Sequence, residues 1–117
     1  MPFKFENRKI WNKALDLTVE INELARCFPK HELYNLSNQI RKAADSVVLN
    51  IAEGCTGQSN AEFSKFLGYS MRSGIEVVSC LFIAKRKKYI REEIFVKYYS
   101  DYEVLCKMIK GFKTAIK

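Results

Sequence analysis

Apolar residues return every three or four positions along nearly the whole chain, and three short interruptions divide the pattern into four helical segments. The spacing predicts a first helix from about Phe5 to Phe28. Trp11, Ala14, Leu15, Thr18, Ile21, Leu24 and Phe28 fall on one face, while Lys13, Asp16, Glu20 and Glu23 fall elsewhere. Pro29 stops it, because proline disfavours a helical residue before it. A second helix is predicted from about Leu33 to Glu53, with Ile40, Ala44, Val47 and Ile51 at the centre of its stripe and Ala43 and Val48 flanking. Gly54 follows at the position of a left-handed C-terminal cap. The third helix opens on "SNAE", a capping box in which Ser59 and Glu62 reciprocally satisfy free backbone amides. Phe63, Phe66, Leu67, Met71, Val78, Leu81 and Phe82 carry it to about Lys87, and the basic run "KRKKYIR" breaks the pattern near residue 88. The fourth, from about Glu92 to Ile116, repeats Phe95, Tyr98, Tyr99, Tyr102, Leu105, Ile109, Phe112 and Ile116. Connections are short, so consecutive helices pack antiparallel. The expected fold is all-α, an up-down-up-down antiparallel four-helix bundle occupying residues 1–117 as one domain.

Composition agrees. With 48% apolar residues and 13% aromatics the chain can bury a core, and five glycines and two prolines leave little material for the turns of an all-β fold. Cysteines at 27, 55, 80 and 106 form no C-x-x-C pair, and the one histidine is His31, so no metal site or cofactor is implied. Cys27, Cys80 and Cys106 sit beside apolar residues and read as small core fillers. "MPFKFENRKIW" lacks the apolar stretch of a signal peptide, and the longest uncharged run, "VVSCLFIA", is far short of a membrane span. A reduced, cytoplasmic protein without membrane partners is expected.

Charge is uneven. Of the net +7, residues 85–117 hold ten Lys/Arg against four Asp/Glu, and the first 84 residues hold ten against nine. The basic last third fits either an anionic partner or a solvated helix face. Catalytic chemistry finds no support: no Glu-x-x-His pairs for a di-metal bundle, no base beside a nucleophilic Ser or Cys, and no glycine-rich phosphate loop. The expectation is a non-enzyme.

The second helix carries an unusual stripe. In "QIRKAADSVVLNIAEG", residues 39–54, Gln39, Ser46, Asn50 and Glu53 cluster on one face with Lys42 at its rim, and Arg41 is spaced to pair with Asp45. Such side chains suit either an ordinary exposed face or a polar seam against a neighbouring helix or subunit, where hydrogen bonds fix register.

Together with "SNAEFSKFL", this stretch resembles the 23S rRNA intervening-sequence protein family, also called the four helix bundle protein family. That family is related in fold to the accessory variability determinant of diversity-generating retroelements. Gln39, Arg41, Ala43, Ser46, Asn50, Ile51, Ala52, Glu53 and Gly54 match the family pattern, as do Ser59, Glu62, Phe63, Phe66 and Leu67. The likeness extends through Trp11, Ala14 and Leu15 in the first helix and Pro29, Glu32 and Leu36 before and into the second. Lys42 stands where a second arginine is common, Gly57 where members often carry arginine, and Arg72 where glycine often precedes Ser73. If the family arginines contact nucleic acid, the first two departures weaken that role here. The resemblance implies a four-helix bundle assembling as a homopentamer, with no enzyme activity. It assigns the polar stripe to helix or subunit packing.

Two functions fit. The first is a nucleic-acid-binding oligomer with little sequence preference, using Lys85, Arg86, Lys87, Lys88, Arg91, Lys107, Lys110 and Lys117 against phosphates of RNA or DNA. Tyr89, set within the basic run, would stack on a base or anchor two helices. The second is a structural or adaptor oligomer whose basic surface keeps it soluble or docks an acidic protein partner.

Overall fold

The computed structural model of the chain describes residues 3–116. Four α-helices follow the apolar periodicity: α1 (Lys9–Arg26), α2 (Leu36–Cys55), α3 (Asn60–Arg86) and α4 (Glu92–Ala115). Two short 3-10 turns flank α1: Lys4–Asn7 takes up the start of the first predicted helix, and Lys30–Glu32 falls in the connection before α2. Consecutive helices pack side by side and antiparallel, giving a bundle 43 Å long and about half as wide. Its core is one cluster running from Ile10 and Ala14 through Ile21, Ile40, Val47, Ile51, Leu67, Leu81 and Tyr102 to Leu105 and Ile109.

Where the expected stripes differ from the core, the helical phase explains it. Leu17 takes the inward position in α1, and Leu15 is 36% exposed. Phe82 and Tyr99 also lie at the surface. Cys27 is exposed, so it fills no core space, whereas Cys55 and Cys80 are buried and Cys106 half-buried. α3 has the most demanding position, packed against α2 and α4 while still showing Tyr69, Ile75, Phe82 and Ile83 outward. By length and composition it is apolar enough to cross a membrane, although its longest uncharged run is short. The α1–α4 seam is closed by polar groups: Tyr98 Oη donates to Glu20 at 3.1 Å, and Lys97 Nζ bridges Glu20 and Asp101 at 3.2 and 3.0 Å.

The helix ends are set locally. Ser59 Oγ accepts from the amide of Glu62 at 3.1 Å, capping α3 as expected, but the Glu62 carboxylate accepts from Gln58 N instead of Ser59 N. Gly54 is no left-handed cap: it lies within α2, which runs on to Cys55. Its missing side chain serves close approach, because a Cβ there would come 2.7 Å from the Phe63 ring and 3.0 Å from Phe66 Cβ. α3 ends with Lys88 at φ 65°, the left-handed conformation usually given to glycine. Tyr89 N then reaches back to Ala84 O and Lys88 N to Lys85 O, each at 2.9 Å.

Two substitutions follow. Gly54→Ala overpacks the α2–α3 contact and should cost about 1–3 kcal/mol in denaturant unfolding. Lys88→Gly removes left-handed strain and should raise stability by about 1 kcal/mol; a lower melting temperature would contradict that account of the turn.

Candidate nucleic-acid interface

The polar stripe of α2 faces α3. Ser73 Oγ donates to Ser46 Oγ at 2.9 Å, Asn50 Nδ2 donates to Ser46 O and Oγ at 2.9 Å, and Gln39 Nε2 lies 3.5 Å from Glu76. Beside them the buried Ser70 hydroxyl donates to Val47 O at 2.7 Å. Contacts from Gly54–Phe63 at one end to Gln39–Glu76 at the other give the antiparallel register. Glu53 is exposed and stands apart from this seam. The expected Arg41–Asp45 pair does not form. Arg41 donates to Ser37 O and Asn38 Oδ1, while Asp45 turns to α1 and accepts from Thr18 Oγ1 at 2.6 Å and from Asn22 at 3.3 Å. The buried Thr18 hydroxyl gives Asp45 a short tertiary bond, whereas an ion pair with Arg41 on its own helix would add only a few tenths of a kcal/mol. These residues hold helices together and present no catalytic arrangement. The Cys80 thiol is pushed up to about 11 by burial, and burial raises Cys55 and Cys106 as well, which disfavours thiolate chemistry.

The basic run at the α3–α4 turn is partly consumed by structure. Glu32, only 1% exposed, accepts from Tyr89 Oη at 2.6 Å, Lys87 Nζ at 3.1 Å, Asn35 Nδ2 at 2.9 Å and Leu36 N at 3.4 Å. The Tyr89 and Lys87 bonds, foremost, hold its carboxyl at about 2. This carboxylate ties the loop after α1 to the turn after α3. Lys87 is therefore a structural counter-ion, and Tyr89, its ring centroid 5.7 Å from that of Phe28, is the interhelix anchor. Lys85 pairs with Glu92 at 2.9 Å. Among the described residues Arg86, Lys88 and Arg91 make no ion pair, and Arg86 and Lys88 line a shallow cleft of about 450 Å³ with Phe82 and Lys85.

The other expected cations lie far away. Arg91 and Lys110 sit near opposite ends of α4, about 28 Å apart at 1.5 Å per residue, so the C-terminal charge forms two patches and not one. Lys117 lies outside the described residues. Lys110 joins cations that the sequence pattern did not single out. A groove of about 390 Å³ between the first half of α3 and the last half of α4 is lined by Gly68, Met71, Arg72, Ile75, Lys110, Lys113 and Thr114. It continues over Ser64, Lys65 and Tyr69, sharing Gly68, Arg72 and Lys113. Gly68 forms the floor, where a Cβ would stand 3.8 Å from Lys113 Cε. Among the described residues Lys65, Arg72, Lys107, Lys110 and Lys113 make no ion pair, and no carboxylate lines the groove. Lys107 is exposed on α4 one turn from Lys110 without lining it. Arg72 was visible in the sequence only as a departure from a family pattern. Lys65 and Lys113, far apart along the chain, gave no signal.

Comparison with known proteins places this architecture. The family model described as 23S rRNA-intervening sequence protein matches residues 6–111. No curated protein matches the chain. Among solved structures, the chain is similar to a protein of unknown function from the S23 ribosomal protein family of Bacteroides thetaiotaomicron. The TM-score is 0.83 at 24% identity, over 89% of this chain and 97% of that one. At that identity the likeness is one of fold.

The Glu32 clamp sets an acid limit. An unfolded glutamate takes up its proton near 4.5, whereas the folded one resists until about 2, so its stabilisation is complete above 4.5 and is lost as pH falls from there through 2. Glu32→Gln should melt lower than the parent at neutral pH, with the gap narrowing across that acid window. Parallel acid profiles for the two proteins would refute the clamp.

Proposed function

The chain belongs to the 23S rRNA-intervening sequence protein family, and on that premise we propose that it is a non-enzymatic homo-oligomer that binds nucleic acid through the α3–α4 groove without strong sequence preference. The observation that carries this reading is the cluster Lys65, Arg72, Lys110 and Lys113. Four cations without carboxylate partners converge on one groove, which favours phosphate as the missing counter-charge. The chain carries no base-reading motif, so the binding is to backbone charge.

Pentameric assembly, implied by the family resemblance, belongs to the same proposal. Leu15, Val19 and Leu49 are exposed along α1 and α2, and Phe82 and Tyr99 along α3 and α4. Two different apolar patches on opposite sides of a bundle suit a head-to-tail contact that closes into a ring. Each copy then adds its basic groove to the assembly, multiplying weak phosphate contacts. A cytoplasmic setting completes the proposal and suits an exposed free thiol at Cys27.

The test is binding of the purified protein to mixed-sequence RNA and DNA across a salt series, with its mass measured in the same buffers. Four cations on a single strand give a slope of log affinity against log salt of about −3 per groove. Arg72→Glu with Lys113→Glu should remove most binding, and Arg86→Glu with Lys88→Glu should remove less. Lys87 is unsuited to charge reversal, because a glutamate there would face buried Glu32 and test folding. An intact oligomer that binds neither nucleic acid would defeat the proposal and turn the basic groove toward an acidic protein partner.

A further inference from the structure

The α3 wall of the basic groove is not purely cationic. Lys65, Tyr69 and Arg72 follow one another at intervals of four and three, which places the aromatic ring between two cations on one helix face. Tyr69 is 42% exposed, and the Phe66 ring meets it at right angles with centroids 5.6 Å apart. An edge-to-face neighbour fixes a ring's orientation without covering it as a stacked neighbour would. Lys113 reaches the same groove from α4, and Gly68 leaves the floor open between them.

The other aromatics near cations are differently placed. Tyr89 is committed to Glu32 and Phe28. Phe82 borders the cleft at the α3–α4 turn, but its ring meets both Phe95 and Tyr99, and the adjoining Lys85 is already paired with Glu92. Tyr69 is thus the exposed ring that lines the groove whose cations carry no carboxylate partner.

From this juxtaposition, and resting on the nucleic-acid reading above, we infer that the groove takes single-stranded nucleic acid, with phosphates on Lys65, Arg72, Lys110 and Lys113 and an unpaired base stacked on Tyr69. The geometry distinguishes strand states. Tyr69 offers an exposed ring face among the groove's cations, and only an unpaired base can stack on it. A duplex keeps its base faces inside its own stack and offers only phosphates to the groove's rim. Stacking tolerates any base, consistent with binding that lacks sequence preference.

The experiment compares a mixed-sequence single strand with the same strand annealed to its complement, each titrated against parent, Tyr69→Leu, Tyr69→Phe and, as a control at an exposed ring away from the groove, Tyr34→Leu proteins over a salt series. Circular dichroism and mass confirm the bundle and its assembly in each variant. The expected result is single-strand binding about tenfold weaker in Tyr69→Leu, retained in Tyr69→Phe and unchanged in Tyr34→Leu. The salt slope should stay that of the parent, because no charge is removed. Two results overturn the inference while leaving the phosphate reading intact: duplex bound as tightly as single strand, or Tyr69→Leu indistinguishable from parent. If the parent binds neither form, the reading on which the inference rests falls with it.

Discussion

Everything in this bundle depends on how closely α2 and α3 can approach while their polar groups stay satisfied. Gly54 lets the end of α2 rest on the Phe63 ring, and Ser70 turns its hydroxyl to the Val47 carbonyl. Ser46 and Ser73 meet in the same seam. A leucine-lined contact would tolerate sliding by a turn, because apolar contact is non-directional. Hydroxyls that must find particular partners do not tolerate it, since leaving one unpaired costs about 1–3 kcal/mol. Register between the two central helices is thereby defined, and α1 and α4 are placed by docking against them.

That register has a consequence for charge. Because α3 and α4 are antiparallel, residues at the start of one meet residues at the end of the other, bringing Lys65 and Arg72 beside Lys110 and Lys113. A one-dimensional count finds an excess of positive charge in the last third of the chain. In three dimensions that excess separates into a turn where Lys85 and Lys87 are neutralised by Glu92 and Glu32, and a groove where α3 contributes half the cations.

Helix number, order and most core positions were legible in the sequence, since a periodic apolar stripe has few other ways to bury itself. The gathering of poor helix formers on one face of α2 was legible, but the residues alone left open whether that face met solvent or a helix, and Glu53 was grouped with a seam it does not join. Single-residue roles were not. Gly54 looked like a cap because it followed the last periodic residue, yet space and not backbone dihedral explains it. Asp45 had a nearby arginine in sequence and a better partner, Thr18, on another helix. Glu32 appeared as one matching residue, and nothing local revealed that Lys87 and Tyr89, over fifty residues away, would converge on it. The groove was hidden for the same reason: periodicity reports which residues share a helix face, whereas a site between helices depends on which faces meet.

The α1–α4 seam is held by Glu20, Lys97 and Tyr98, and its Tyr98–Glu20 bond joins positions 78 residues apart. The other helix pairings join neighbours in sequence, so their loop-closure entropy is small and they form early on any route to the bundle. Closure of this last seam is the topologically expensive event. During synthesis it must await release of α4, and until then α1, α2 and α3 form an open layer with one apolar side uncovered. For a chain whose surface already carries spare apolar patches, that interval is when a second copy can take the place of its own fourth helix, so exchange of α4 between copies is the misassembly this topology invites.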